Sequence, residues 1–569
     1  MLMLANRTSD TKHVHYEGER FMTYNIIVFA LLAAVGVANS QLCSAQESDE
    51  AKSGNNQQAQ PFKIGSDTTF VLGPVSDDGT IDYAAAINQR MRAEIKPEEN
   101  AAVWIIRALG PNVPEYKYEP NLFQELGMQR PPVHGDYLQP EYPKPDVDVR
   151  NLDKQQQAEL VETQIGQYID SMERPWKPSE FPEIAEWIES NTSPLDVIHS
   201  ATLCKRFFKP ILLEEEPGEN GIFTPPLIAD ILPLNPLNHS IARMLCSRAM
   251  LHLGNGDHKR AWQDLIACRR LARLISQGPC LIDVLVGYAI EQTVNDATVA
   301  FMIHAKASPA EWKSYLSEMK SLPPLAKTSE KVNLMERCST LDAIQTMAIG
   351  ENEAVALLEI EPDLGKLGRI VETFGLQSID WTGALRVANQ WYNRLVIAMK
   401  LPSYSERASA FAKIETELET MTLTITDPTK LVKIQEELQQ EKQGKKTVDG
   451  GVVSRTLGEI VVTLMLPAVS SASLSEDRIR QQTAQINIAL GLAGYHAAKG
   501  TYPEHLSDLK PAYLKQIPPD IFTGTPLLYQ RTDEGYLLYS VGPNRKDDAG
   551  RTHLSANPGD DLTVRVGLP

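Results

Sequence analysis

Side chains able to carry chemistry are plentiful in this sequence, but few stand at spacings that specify a reaction. The six cysteines, Cys43, Cys204, Cys246, Cys268, Cys280 and Cys338, form no C-x-x-C pair and no Cys/His group with zinc spacing. There is no Gly-rich phosphate loop, no H-E-x-x-H, no G-x-S-x-G and no dinucleotide fingerprint. The 11 histidines are dispersed. His252 and His258 flank one turn, His496 and His505 the junction of two later helices, and none has a nucleophile or metal partner in its stretch of sequence. Each reads as a surface or capping residue. Carboxylates are abundant, and the paired acids of a hydrolase meet in space without leaving a local pattern. The residues therefore favour a non-catalytic protein, with a secreted hydrolase using dispersed carboxylates in a cleft of the helical region as the alternative.

The elements that must position these residues follow from size and pattern. A chain of 569 residues exceeds the size at which single cores stop growing, so two to four domains are expected. With 42% hydrophobic and 22% charged residues it is globular in composition. A formal charge of −18, with Lys and Arg scattered among more numerous carboxylates, argues against nucleic acid as a partner and against anchoring to acidic lipid by charge.

Residues 26–37 are apolar throughout, preceded by Arg20 and followed by small residues. That is the pattern of an export signal. As a helix the segment is about 18 Å long at ~1.5 Å per residue, short for a membrane span. Cleavage fits after Ser40 or after Ala45, and the polar run from Gln46 favours the second. Leu42 stands where a lipid-attachment signal carries a small residue, which argues against lipidation of Cys43. Residues 1–45 are thus a signal peptide or a retained anchor, the latter giving membrane association through residues 26–37. The protein is expected to be exported, to the periplasm, cell envelope or exterior, with protein partners there. Cleavage after Ala45 leaves five cysteines, an odd number. Cys246 and Cys268 fall on two helices expected to pack together, where a disulfide is open, although buried apolar thiols are the simpler reading.

Residues 46–66, rich in Gln, Ser, Asn, Glu and Lys, read as a disordered lead. Residues 67–110 read as a small α/β module. In it a strand over residues 69–72 precedes the turn Asp77-Asp78-Gly79, a helix carries Ile81, Tyr83, Ile87 and Met91, and a second helix begins behind Pro97 and ends at Gly110. Residues 111–150 are too rich in proline for a continuous helix and form a linker or an arm lying on the helices. Residues 151–430 are a helical domain. Within it residues 241–276 resemble one tetratricopeptide-type hairpin, on Ala249, the turn Gly254-Asn255-Gly256-Asp257, Ala261 and Leu265. No second copy lies one period away, so the fold class is a mainly α multidomain chain with an irregular helical body. Residues 431–455, a charged Gln-rich run closed by Gly450 and Gly451, form a linker to a last domain over residues 456–569.

In that domain Ile479, Thr483, Ile486, Leu490, Ala493 and Ala497 recur at three- and four-residue steps and line one face of a helix that Gly500 stops. A short helix follows over residues 506–509, then a turn over residues 520–524, a strand over residues 527–529, the hairpin turn Asp533-Glu534-Gly535 and a returning strand over residues 536–540. The order of long helix, Gly-x-Tyr-Pro, Asp-x-Phe-x-Gly, strand, turn, Tyr-Ser-x-Gly and acidic loop resembles the globular part of the type II secretion major pseudopilin. It also resembles the tails of large exported proteins of planctomycete-type bacteria, whose opening Asp-Gly-x-x-Asp-Tyr recurs at Asp78, Gly79, Asp82 and Tyr83. The pseudopilin resemblance implies a small α+β domain with a calcium site in the loop after Tyr-Ser-x-Gly. The matching residues are Val541 by its carbonyl, Asp547 and Asp548, with Asp560 and Asp561 nearer the end. Arg545 and Lys546 depart from that pattern by placing positive charge beside the site. The apolar assembly helix of a true pseudopilin lies at its processed N-terminus, whereas the corresponding stretch here is deep inside the chain and is broken by Pro467. The resemblance therefore implies a shared fold used for docking or structure, with a secretion or pilus-associated component as a further alternative.

Overall fold

The computed structural model describes residues 61–92, 95–113, 118, 121–140, 154–212, 227, 235–349, 380–426, 436 and 467–567. The signal segment, most of the polar lead, the end of the Pro-rich stretch and nearly all of the charged linker lie outside the described residues. Among the described residues the fold is mainly helical and carries one small antiparallel sheet near the C-terminal end.

Order begins earlier than composition suggests, since Phe62 is buried and the Lys63 N–H donates to Thr382 Oγ1 at 3.1 Å. The strand expected over residues 69–72 does not form. The Thr68 hydroxyl donates to the Lys63 carbonyl at 2.6 Å, the Thr68 and Thr69 N–H groups both bond the Gly65 carbonyl, and Phe70 takes a φ of 64°. Local threonine bonds thus bend a β-favouring sequence into turns, leaving an isolated bridge between Val75 and Ile81. The expected α/β module is therefore helix and turn. Its first helix, α1 (Tyr83–Arg92), opens where Asp82 Oδ1 accepts the Ala85 N–H at 2.8 Å. Its second, α2 (Ala101–Leu109), is capped by Asn100 and closed by Gly110. The described part of the Pro-rich stretch is an arm packed on the helices: Leu122, Phe123, Leu126, Met128 and Leu138 are buried.

The body continues through α3 (Lys154–Glu173), α4 (Pro182–Ser190), α5 (Thr192–Thr202), α6 (Asn235–Gly254), α7 (His258–Ile275), α8 (Leu281–His304), α9 (Pro309–Ser321), α10 (Arg337–Ile349), α11 (Trp381–Met399) and α12 (Tyr404–Thr426). Helices α6 and α7 form the expected hairpin. Asp257 caps α7 through the Arg260 N–H, and Ala242, Ala249 and Ala261 are fully buried where small side chains let the helices approach. Helix α8 packs against both. No helix among the described residues is long and apolar enough to cross a membrane.

Helix α13 (Pro467–Lys499) packs on α8 and α9 and also carries the sheet. Ile479, Ile486, Leu490 and Ala493 are buried as their spacing requires, but Ala497 is exposed, and Ile488, Ala489 and Leu492 are buried as well. The helix is enclosed by the body and the sheet together, so a one-faced pattern underestimates its burial. Strands β1 (Leu528–Arg531) and β2 (Tyr536–Ser540) pair with Arg531 opposite Tyr536. A third strand absent from the sequence reading, β3 (Leu562–Val566), pairs along the other side of β2 with Leu538 opposite Val564. The hairpin needs glycine at Gly535, where an added Cβ would fall 1.7 Å from the Val566 carbonyl oxygen. Leu490, Tyr536, Leu538 and Val564 belong to one apolar core with Leu245, Leu265 and Phe301 of the hairpin and α8.

Candidate functional site

The loop between β2 and β3 gathers three of the five residues expected to hold calcium. Carboxylate oxygens of Asp548, Asp560 and Asp561 lie within 4.8 Å of one another. Closure of the sheet by β3 brings this about, because it carries Asp560 and Asp561 back beside Asp548. Asp561 is buried; its Oδ2 accepts the Gly550 N–H at 2.7 Å and its Oδ1 the Asp548 N–H at 3.4 Å. Burial, helped by the charges of Asp548 and Asp547, pushes its carboxyl above the ordinary value despite those hydrogen bonds. Asp548 accepts from Asn544 Nδ2 at 3.0 Å and from the Asp560 N–H at 3.2 Å, bonds that hold its carboxyl low. Asp560 accepts the Asn544 N–H through Oδ2, while its Oδ1 is shielded from solvent and has no hydrogen-bond partner. Three converging carboxylates with one orphaned, shielded oxygen suit a hard cation and supply part of the six to eight oxygens that calcium takes.

The other two residues are engaged differently. Asp547 Oδ1 accepts from the Tyr539 hydroxyl at 3.1 Å and the Ala549 N–H at 2.8 Å. Val541 is held through its own N–H, which donates to Asp520 Oδ2 at 3.0 Å. The Arg551 guanidinium stands 3.7 Å from Asp548 Oδ1, so positive charge reaches the cluster from beyond the Arg545-Lys546 insert.

A second site lies in the helical body, where α4, α5, α6 and α7 enclose a cleft of about 690 Å³. Its buried carboxylate is Asp264 on α7. Arg248, across the hairpin on α6, donates to it through Nε at 3.0 Å and Nη2 at 2.7 Å. His199, brought in by α5, makes a 2.7 Å bond from Nε2 to Asp264 Oδ1, and His252 Nε2 lies 3.8 Å from Oδ2. Burial pushes the Asp264 carboxyl up, but the His199 hydrogen bond and the Arg248 charge outweigh it, and the group titrates below its ordinary value. Burial holds the His252 imidazole below its ordinary value against the pull of Asp264. With Nε2 committed to an ionised carboxylate, His199 has Nδ1 left for proton exchange, the arrangement that orients a general base. A neighbouring groove of about 540 Å³ shares His199 and is floored by Trp262 and Tyr315, whose rings stack with centroids 4.6 Å apart. Among the described residues lining either space, Asp264 is the one buried carboxylate, and it is paired with the Arg248 guanidinium and the His199 imidazole. Two buried carboxylates do not face each other there.

In the sequence His252 stands out only as a turn neighbour, and nothing local marks His199, Arg248 or Asp264. The signal was faint: His199 and Asp264 are 65 residues apart and meet only when α5 docks on the hairpin. No family model matches the chain, and no curated protein or solved structure matches it.

Proposed function

We propose that this protein is an exported or envelope-associated helical scaffold for protein partners, whose pseudopilin-like C-terminal unit is steadied by calcium bound through Asp548, Asp560 and Asp561. The observation that carries the calcium assignment is the shielded, unpartnered Asp560 Oδ1 amid two further carboxylates. A bound divalent ion would supply that oxygen with a partner and offset the like-charge repulsion of the cluster. The scaffold reading is supported by the α6–α7 helix pair, with Ala242, Ala249 and Ala261 buried, as a tetratricopeptide-type hairpin would have them, and by the order of elements from α13 to the acidic loop. The export reading rests on the apolar segment at residues 26–37.

Thermal melting of the full chain in millimolar calcium and in chelator tests the assignment. A ligand specific to the folded state at about 100 times its Kd stabilises by about 2.7 kcal/mol, and the midpoint rises accordingly. Asp560→Asn is expected to abolish the rise. Equal midpoints for the unsubstituted chain in the two buffers would remove calcium from the account.

A second reading, a secreted hydrolase, is favoured by one observation, the Asp264-oriented His199 in an open cleft. There His199 would take the proton of an attacking water and return it to the leaving group.

A further inference from the structure

Two sulfur atoms meet at the centre of the helical hairpin. Cys246 on α6 and Cys268 on α7 are both fully buried, and their Sγ atoms are 3.9 Å apart. We infer that Cys246 and Cys268 are joined as a disulfide when the chain folds in an oxidising compartment, an inference that rests on the export proposed above. Bringing the sulfurs to the ~2.05 Å of a bond moves each by about 1 Å, a shift within reach of side-chain torsion. The helices need not change register, because Arg248 and Asp264, two and four residues from the cysteines along their helices, already clamp α6 to α7 through a two-point ion pair. Closely apposed backbones are provided by Ala242, Ala249 and Ala261, each fully buried at the same contact. Cys204 is committed elsewhere, its thiol directed to the Glu98 carbonyl at 3.7 Å.

The chemistry balances as a thiol–disulfide exchange. The two thiols lose two protons and two electrons, and the disulfide of an oxidoreductase accepts them and becomes a dithiol. Timing is set by burial. Exchange requires a thiolate and access to it, and burial, reinforced by Cys246, drives the Cys268 thiol far above its ordinary value. The bond therefore forms while the hairpin is still open to its oxidant. After closure the pair is locked in whichever redox state it folded with, inert to external reductant.

The test is non-reducing peptide mapping of the full chain, with its own N-terminal segment, produced in an exporting bacterial host. The protein is denatured in the presence of an alkylating agent and digested, and its N-terminus and cell fraction are determined on the same sample. The expected result is a linked peptide pair containing Cys246 and Cys268, lighter by two hydrogens than its separated parts and released by reductant only after denaturation. Recovery of both residues alkylated from exported chain would overturn the inference. If the chain stays in the cytosol the export reading fails instead. The disulfide is then decided by refolding the denatured chain in a glutathione redox buffer, where a linked pair supports the geometry and alkylated cysteines reject it. The Cys246→Ser/Cys268→Ser double variant is expected to melt a few degrees below the oxidised chain.

Discussion

Asp264 is asked to do two things at once. It neutralises the buried Arg248 guanidinium and it orients His199 toward a cleft. The first role dominates stability. Asp264→Asn leaves the buried Arg248 with only the exposed Asp196 carboxylate, 3.7 Å away, and removing one partner of a buried pair costs about 3–5 kcal/mol. Denaturant unfolding of the two proteins measures it. The pH dependence has a definite sign. Because the folded-state carboxyl lies below its unfolded value of about 3.9, its contribution is fully present above that pH and is lost as pH falls through the folded value. The gap in stability between the unsubstituted chain and Asp264→Asn should therefore close on acidification below about pH 4. His199→Gln keeps the Arg248 pair and separates the two roles. If the hydrolytic reading holds, this variant loses turnover of small ester substrates across the pH range while still unfolding cooperatively; turnover equal to that of the parent would reject it.

At the scale of elements, α6 ends against another segment so closely that its last residue has no room for a side chain. A Cβ at Gly254 would fall 1.9 Å from the backbone oxygen of Trp176, itself buried. Gly254→Ala gains up to about 1 kcal/mol of helix propensity. Overpacking costs about 1–3 kcal/mol and is expected to win, since the atom struck is backbone and cannot rotate away. A raised urea midpoint for Gly254→Ala would contradict this. The same residues show what sequence makes legible. The hairpin was readable because Gly254, Gly256 and Asp257 are local punctuation between two periodic runs, and α13 because its apolar steps are regular. The strand over residues 69–72 misled because β-propensity says nothing about threonine hydroxyls that reach back to Lys63 and Gly65. Strand β3 was missed although Leu562, Val564 and Val566 alternate with Thr563 and Arg565, a pattern short enough to lose beside an acidic loop. For the residues proposed to hold calcium, the loop is legible in the sequence but the grouping is not, because it depends on that strand. His199 carries no local signal because its partner, Asp264, is on another helix.

For the molecule as a whole, the C-terminal elements are tied to the body along the length of α13. Asp477 is buried and accepts two bonds from Arg407 Nη2, at 2.6 and 2.7 Å. Glu476 Oε2 accepts from the N–H and hydroxyl of Thr328 at 2.9 and 2.7 Å, and Lys320 Nζ donates to the Tyr513 carbonyl at 2.7 Å. Apolar packing continues across the same boundary, with Trp312 and Leu316 of α9 seated on the glycine positions Gly494 and Gly491. Residues 467–567 expressed alone would bare this face to water. They are expected to show weak protection in hydrogen exchange, whereas in the full chain the α13 amides should exchange among the slowest. A fragment with its own cooperative melt and full α13 protection would disprove the dependence.

The close seat of Trp312 over Gly494 has a consequence for descent as well as for folding. A side chain gained at Gly494 would strike Tyr513 of the same C-terminal unit at 2.6 Å and crowd Trp312 of α9 at 3.2 Å, so a substitution there is coupled to residues on both sides of the boundary. A tail of this kind set on a different body would fit there only where that body offered α13 a neighbour no bulkier than Trp312 at this point.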